Sequence, residues 1–302
     1  MSYEPHIPNT LWSLLDSIGP NWHTDVQGNI SLVIDEFSKI LKYSPKDGVI
    51  RKNNVIYGHH DRQVLDFFMP KDVYKPPVVL FLHGGAFIDG CKDRSEEIYS
   101  NVMYFLARRG VCAINVEYRL APEYQYPSGI QDVALAVNWA IENSSSIGFD
   151  PKKIFLFGHS SGAAHVAGFA YGSNYSDIVA SVLKGLIIVS GRVRADNLPE
   201  NPNARKVEAY YGNSPSRLNQ LSPVNLISDK SVETFIAIAE FENPLIDVYC
   251  SELFYRLSVL KRKSPVFFRA SRHNHTSIIA QFNLAENYLG NHILNFIRTR
   301  AP

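Results

Sequence analysis

The pattern of apolar and polar positions divides the chain into two regimes. Over the first 50 residues two amphipathic periods at helical spacing occupy 10–18 and 30–41. Gly19-Pro20 stops the first, and Ser44-Pro45 follows the second. From about residue 54 short β-type runs alternate with helical periods. Residues 55–57 and 64–68 read as an opening pair of strands, and Val78–Leu82 is apolar at every position. A strand with no polar position must be covered on both faces, which is the condition of a parallel sheet between helical layers. The rest of the chain keeps this rhythm, with strands expected at 111–116, 154–157, 186–189, 235–239 and 266–269 and helices at 95–109, 129–142, 161–170, 248–260 and 277–297. Pro127 stands at the start of the second of these helices, where its fixed φ is suited. The expectation is an α/β fold with a mostly parallel sheet of about eight strands.

The interval 190–231 breaks the alternation with Asn, Pro and Gly punctuation, and it is too long for an ordinary connection. It reads as an insertion at the C-terminal edge of the strands, where ligands enter open α/β sheets. Together with the N-terminal helices it is expected to form a small cap. No linker-like composition marks a domain joint, although 302 residues would allow two domains.

Composition narrows the function. Apolar residues make up 45% and charged residues 20%, enough for a large core and incompatible with a disordered chain. Thirty Lys and Arg against 29 Asp and Glu give a net charge of +1, so no broad positive field is present to hold nucleic acid or an anionic membrane. A small, uncharged partner is expected. The three cysteines, Cys91, Cys112 and Cys250, form no Cys-x-x-Cys pair and are expected in the core. No leader pattern and no apolar stretch of membrane-spanning length stand in the chain, so a cytoplasmic location is expected. Asn274-His275-Thr276 would be a glycosylation sequon in a secreted protein, a poor place for a glycan if His275 acts in catalysis.

Two motifs carry chemistry. Gly158-His159-Ser160-Ser161-Gly162 directly follows an expected strand and precedes an expected helix. A serine on such a turn presents its hydroxyl at a helix N-terminus, and flanking glycines make room for the sharp backbone. His83-Gly84-Gly85-Ala86-Phe87 follows the strand Val78–Leu82; small residues there let backbone N–H groups reach a substrate oxygen, so Gly84, Gly85 and Ala86, with Ser161, form a candidate oxyanion hole. A serine hydroxyl needs a base, and the base an orienting carboxylate. His273 and His275 occupy the expected loop 271–276 between the last strand and the last helix, whereas His165 reads as a packed helix residue. Glu240, Glu242 and Asp247 follow the strand 235–239; Glu242, in the loop itself, is favoured over Asp247, which an N-cap role explains.

At this point the chain resembles the α/β-hydrolase superfamily, and within it the hormone-sensitive-lipase-like carboxylesterases and the BD-FAE-type esterases. The resemblance runs from about residue 60 to the C-terminus and rests on the two motifs and on Tyr118-Arg119-Leu120-Ala121-Pro122-Glu123, with Pro127 and Asp132 downstream. It implies the α/β-hydrolase fold, Glu242 as acid and His275 rather than His273 as base. It also implies hydrolysis of carboxylic esters through an acyl-enzyme on Ser160, with neither cofactor nor metal. Arg119 and Asp132 are read as structural. The chain departs from the hormone-sensitive-lipase pattern by HGGA for HGGG, GHSSG for GDSAG, and Glu where Asp is usual. These departures leave an arylformamidase-like amide hydrolase as the alternative; a non-catalytic receptor or a lyase on the same fold is disfavoured by the presence of His275. Phe87, Tyr210, Tyr211 and Phe241 are expected to contact the substrate, a homodimer is the candidate assembly, and the spread of the site from Gly84 to His275 favours one domain.

Overall fold

Eight strands form one sheet in a computed structural model that describes residues 3–301; Met1, Ser2 and Pro302 lie outside the described residues. They are β1 (Val49–Ile56), β2 (Val64–Pro70), β3 (Val78–Leu82), β4 (Cys112–Val116), β5 (Ile154–His159), β6 (Leu183–Val189), β7 (Thr234–Phe241) and β8 (Val266–Asn274), in the spatial order β1-β2-β4-β3-β5-β6-β7-β8. β2 is antiparallel to both of its neighbours, and from β4 to β8 every pairing is parallel. This is the α/β-hydrolase fold anticipated above.

Burial explains why the central strands read as unbroken apolar runs. β3, β4 and β5 are buried at every position. Alternate residues of β3 point to opposite faces, Val79 and Phe81 into one core and Val78, Leu80 and Leu82 into the other. The first core is covered by α1 (Asn9–Ile18), α2 (Val26–Leu41), α3 (Ser100–Ala107) and, at the end of the chain, the helix Tyr288–Arg300. The second is covered by α4 (Ser128–Ile147), α5 (Ser161–Tyr171) and the helix Ile246–Lys261. Three short helices lie between: α6 (Ser176–Val182), α7 (Ala204–Tyr211) and α8 (Pro215–Leu221), the last two within the 190–231 interval. In chain order Ile246–Lys261 is α9, Ser277–Ala280 is α10 and Tyr288–Arg300 is α11.

Several element bounds differ from expectation for local reasons. β1 begins at Val49 because an edge strand tolerates the polar Arg51, Lys52 and Asn53 that hide its apolar alternation. The helix expected from residue 95 starts only at Ser100, since Ser95 Oγ takes the N–H groups of Glu97 and Ile98 in a local turn. The closing helix 277–297 is broken between α10 and α11. There Asn283 has φ 66° and donates its N–H to Asn287 Oδ1, a side-chain bond that replaces the helical one. β8 runs on to Asn274, so residues 271–274 are strand and not loop. Of the cysteines, Cys112 and Cys250 are buried, whereas Cys91 is only half-buried.

The strand tips fix the site. Leu82 of β3 pairs with Gly158 of β5, which sets the loop after β3 beside the β5–α5 turn, and Phe241 of β7 pairs with Asn274 of β8. Behind the turn lies a buried histidine, His165 of α5, as its helical position suggested. Its ring meets Phe87, Tyr118 and Tyr210 edge-on at 5.5, 4.8 and 5.1 Å. Neither ring nitrogen has a hydrogen-bond partner, and burial pushes its pKa down to about 3. Burial likewise lowers that of His273, helped by Arg272, to about 4.

In the unfolded chain such histidines titrate near 6.5, so between roughly pH 6.5 and 3–4 the unfolded state binds the extra protons and acid favours unfolding. We expect the unfolding free energy from urea titrations to hold above about pH 6.5 and to fall below it, by up to about 1.4 kcal/mol per pH unit for each histidine. His165→Leu should fall less steeply; an unchanged slope would exclude His165 as a source of the acid lability.

Candidate active site

Ser160 sits between β5 and α5 with φ 54° and ψ −121°. A non-glycine residue there costs about 1–3 kcal/mol and persists only where its surroundings enforce it. They do so by closeness: a Cβ at Gly158 would lie 2.4 Å from Ala163 Cα, and one at Gly162 would lie 2.3 Å from the Leu82 carbonyl oxygen. The backbone of Ser160 is also held, its N–H donating to Val189 O (3.2 Å) and its carbonyl accepting from Arg192 N–H (2.9 Å). What remains unconstrained is the hydroxyl, raised at the C-terminal edge of the sheet.

His275 Nε2 stands 3.0 Å from Ser160 Oγ, and His275 Nδ1 stands 2.6 Å from Glu242 Oε2. The other carboxylate oxygen of Glu242 accepts from Ser190 Oγ (2.5 Å) and Ala239 N–H (2.7 Å). A carboxylate so fixed orients the Nδ1–H tautomer and leaves Nε2 to accept the serine proton. The loops bearing Glu242 and His275 are tied together by His275 N–H to Phe241 O (3.1 Å). The competing residues are engaged elsewhere. Asp247 is exposed in the first turn of α9, Glu240 accepts from Arg272 N–H (2.7 Å), and His273 meets Ser277 Oγ (3.1 Å) and the edge of Trp12.

The loop after β3 lies directly beside Ser160. Gly85 has φ 147°, and a Cβ there would overlap the Asp89 carbonyl at 1.7 Å, so only glycine fits. Ala86 and Phe87 follow with φ 51° and 74°. The N–H groups of Gly85, Ala86 and Ser161 find no protein acceptor among the described residues. Gly84 departs from expectation: its N–H donates to Tyr99 Oη (3.3 Å), and it serves instead as a contact surface for Ser160 Cβ. His83 anchors the loop by stacking on Tyr118 at 4.3 Å, while Tyr118 Oη donates to His83 O (2.8 Å). Arg119 is bound to Asp132 through its backbone N–H (2.8 Å) and Nε (2.9 Å), away from the hydroxyl of Ser160.

Two residues that motif reasoning passed over join these parts. Tyr99 Oη, which accepts from Gly84, also lies 3.3 Å from His159 Nδ1, and His159 Nε2 lies 3.0 Å from His275 O. With Nε2 protonated, one chain of hydrogen bonds runs from the oxyanion loop through the elbow to the backbone of the base. Burial, and next the proximity of His275, hold the His159 pKa well below its ordinary value, so its ring stays neutral. The only sequence signal was the variable second position of the elbow motif.

Ser160 and His275 open on a cavity of about 780 Å³, counting its open mouth. Val26, Gln27, Ile30 and Ile34 of α2 wall one side, and Asn203 and Lys206, at the start of α7, close the other; the remaining lining includes Gly84, Gly85, Ala86, Arg94 and Ile279. Both expected cap segments therefore reach the pocket. The expected aromatic contacts do not. Phe87 stacks on Tyr210 at 4.9 Å with Tyr211 edge-on, a buried cluster that fastens α7 behind the oxyanion loop, and Phe241 packs against Gly19. Phe87, with φ 74°, is 1% exposed within that cluster and does not line the cavity. The N-terminal segment is clamped to the catalytic loops: Trp22 Nε1–H donates to Asn243 Oδ1 (2.8 Å) and Asp16 pairs with Arg272 (2.6 Å).

Residues 65–257, more than half of the chain, match the family model described as BD-FAE. The chain belongs to the BD-FAE family. Among curated proteins it is 26% identical over 238 residues to a rice (Oryza sativa subsp. japonica) protein described as a "probable isoprenylcysteine alpha-carbonyl methylesterase", covering 73% of this chain and 53% of the relative. It is 37% identical over 109 residues to an arylesterase of Saccharolobus solfataricus, covering 34% of each. An esterase of Mycobacterium tuberculosis is 35% identical over 123 residues, 40% of this chain and 30% of the relative. The chain thus spans about a quarter to a half of the length of these curated relatives. In fold, the hyperthermophilic esterase of Pyrobaculum calidifontis superposes with a TM-score of 0.71 at 21% identity, over 98% of this chain and 99% of that one.

The Tyr99 hydroxyl provides a direct test of the chain through the elbow. Tyr99→Phe leaves a buried donor and a buried acceptor unpaired and should lower stability by about 1–3 kcal/mol in urea titrations. A loss under about 0.5 kcal/mol would show that the two bonds carry no weight.

Proposed function

We propose that this BD-FAE protein is a serine hydrolase of carboxylic esters. The observation that carries the reading is the relay from Ser160 Oγ through His275 to Glu242 beside three backbone N–H groups without protein acceptors, with Ser160, His275, Gly85 and Ala86 lining one cavity. In the proposed reaction Ser160 Oγ attacks the ester carbonyl as His275 Nε2 takes its proton, and Glu242 holds the Nδ1–H and stabilises the imidazolium. The developing oxyanion lies against the N–H groups of Gly85, Ala86 and Ser161, each such donor contributing roughly 2.7–4 kcal/mol in the transition state. The imidazolium returns its proton to the departing alcohol, leaving an acyl-enzyme on Ser160. His275 then deprotonates water for the second attack, and the acid is released as Ser160 recovers its proton. Among the described residues no helix is long and apolar enough to cross a membrane.

Turnover of p-nitrophenyl butyrate tests the assignment. Ser160→Ala and His275→Ala should each lower kcat by about a thousandfold or more, and retention of more than about a hundredth of the wild-type value would sink it. Glu242→Gln should cost about 10²–10⁴-fold by misplacing the tautomer, whereas Asp247→Asn should stay within about threefold. A matched N-formyl aryl amide cleaved faster than the ester would transfer the reading to amide hydrolysis.

The cavity wall from Val26, Ile30, Ile34, Ile98 and Ile279 supports compact acyl groups. Across a p-nitrophenyl ester series kcat/KM should peak at acyl chains of about eight carbons or fewer. A steady rise to long chains would contradict this.

A further inference from the structure

The near-neutral charge of the whole chain conceals an imbalance at the cavity. Arg94, in the loop between β3 and α3, and Lys206, on α7, line the same cavity as Ser160 and His275, and both are half-buried. Neither side chain makes an ion pair or a hydrogen bond among the described residues. Arg62 is matched by Glu117, Lys92 by Asp66 and Asp93, Arg119 by Asp132 and Arg272 by Asp16, while the buried Arg192 lies over the Tyr249 ring and outside the cavity lining. A half-buried cation gives up hydration, and without a partner nothing offsets that loss.

The acidic groups nearby do not restore balance. Asp89 is the one carboxylate on the cavity wall; it is exposed, and its Oδ1 accepts from Gly90 N–H (2.7 Å). Glu242 lies behind His275 and is committed to it. Two cations and one anion leave the wall one positive charge in excess, the complement of a single carboxylate. Arg94 also acts on two buried groups that adjoin the β5–α5 turn, Tyr99 and His159. The wall from α2 is meanwhile apolar through Val26, Ile30 and Ile34. The cavity therefore has two characters, one suited to hydrocarbon and one to an anion.

We propose that Arg94 and Lys206 form an anion subsite and that the preferred substrates are carboxylic esters bearing a second, free carboxylate, such as a half-ester of a dicarboxylic acid or an ester of a hydroxyacid. This rests on the ester-hydrolase reading above and replaces the uncharged substrate that net charge alone suggested. Arg94 supplies the planar fork that a carboxylate can meet with two hydrogen bonds, and Lys206 supplies a point charge on a flexible stem.

The test compares two matched pairs on the purified full chain, each rate normalised to the ester's own alkaline hydrolysis. p-Nitrophenyl hemiglutarate against p-nitrophenyl pentanoate places the charge on the acyl side, and 4-acetoxybenzoate against phenyl acetate places it on the alcohol side. In at least one pair the anionic ester should be favoured about tenfold or more in kcat/KM, with the preference shrinking at high ionic strength. Arg94→Gln or Lys206→Met should cut that ratio by about fivefold or more, chiefly through KM. Preference for the neutral ester in both pairs, or an anionic preference that neither salt nor both substitutions alter, would overturn the subsite. Turnover of none of the four esters would instead remove the ester-hydrolase reading, and the subsite with it. The salt dependence is read on the wild-type protein, so a variant that fails to fold leaves the proposal open to refutation.

Discussion

The strained backbone of Ser160 is the constraint on which the rest of the site depends. A serine at φ 54° is stable only if the chain on both sides has nowhere else to go, and Gly158 and Gly162 remove the two Cβ atoms that would otherwise push the elbow open. Gly162 matters twice, because the space it leaves is filled by the end of β3, from which the oxyanion loop departs. The strain of the elbow and the placement of that loop are one packing solution. The helix that follows is buried along its whole length, so it cannot tilt to relieve the turn.

From this fixed point the geometry spreads by hydrogen bonds rather than by shape alone. His159, the residue before the nucleophile, ties the elbow to Tyr99 and so to Gly84 on one side, and to the carbonyl of His275 on the other. Glu242 is held at both oxygens, by Ser190 and Ala239 at one and by His275 at the other. Each of these donors and acceptors is buried or nearly so, where leaving one unmade is more expensive than making it is rewarding. The network therefore favours one arrangement of Ser160, His275 and Glu242, and such preorganisation is what the proposed acyl transfer would need.

Much of this arrangement was legible because it is local. The continuous run Val78–Leu82, the glycines around Ser160 and the carboxylate just beyond β7 each declare their role within a few residues, and register then brings them together. What escaped depended on partners distant in sequence. Gly84 reads as an oxyanion donor from its motif, but its N–H is claimed by Tyr99, fifteen positions on. Phe87 stands beside the site in sequence and Tyr210 and Tyr211 in the 190–231 interval, yet the three rings pair with one another in a buried cluster. The long final helix failed for a subtler reason. Its apolar period continues across residues 281–287, while Asn283 and Asn287 offer the backbone a better local bond. Net charge, a property of the whole surface, could not report that Arg94 and Lys206 stand unmatched in one cavity.

The clamp between the N-terminal segment and the catalytic loops has a consequence for how the molecule is made. Trp22 is joined to Asn243, and Asp16 to Arg272, so α1 and the turn that follows it are fastened to loops more than 200 positions away. Until β7, β8 and the loops after them are in place, Trp22 and Asp16 lack these partners. Contacts this far apart in sequence form late and slowly. The β5–α5 turn and the loop after β3 rest on contacts among β3, β5 and α5, whereas Glu242 and His275 are brought to Ser160 only once β7 and β8 have joined the sheet.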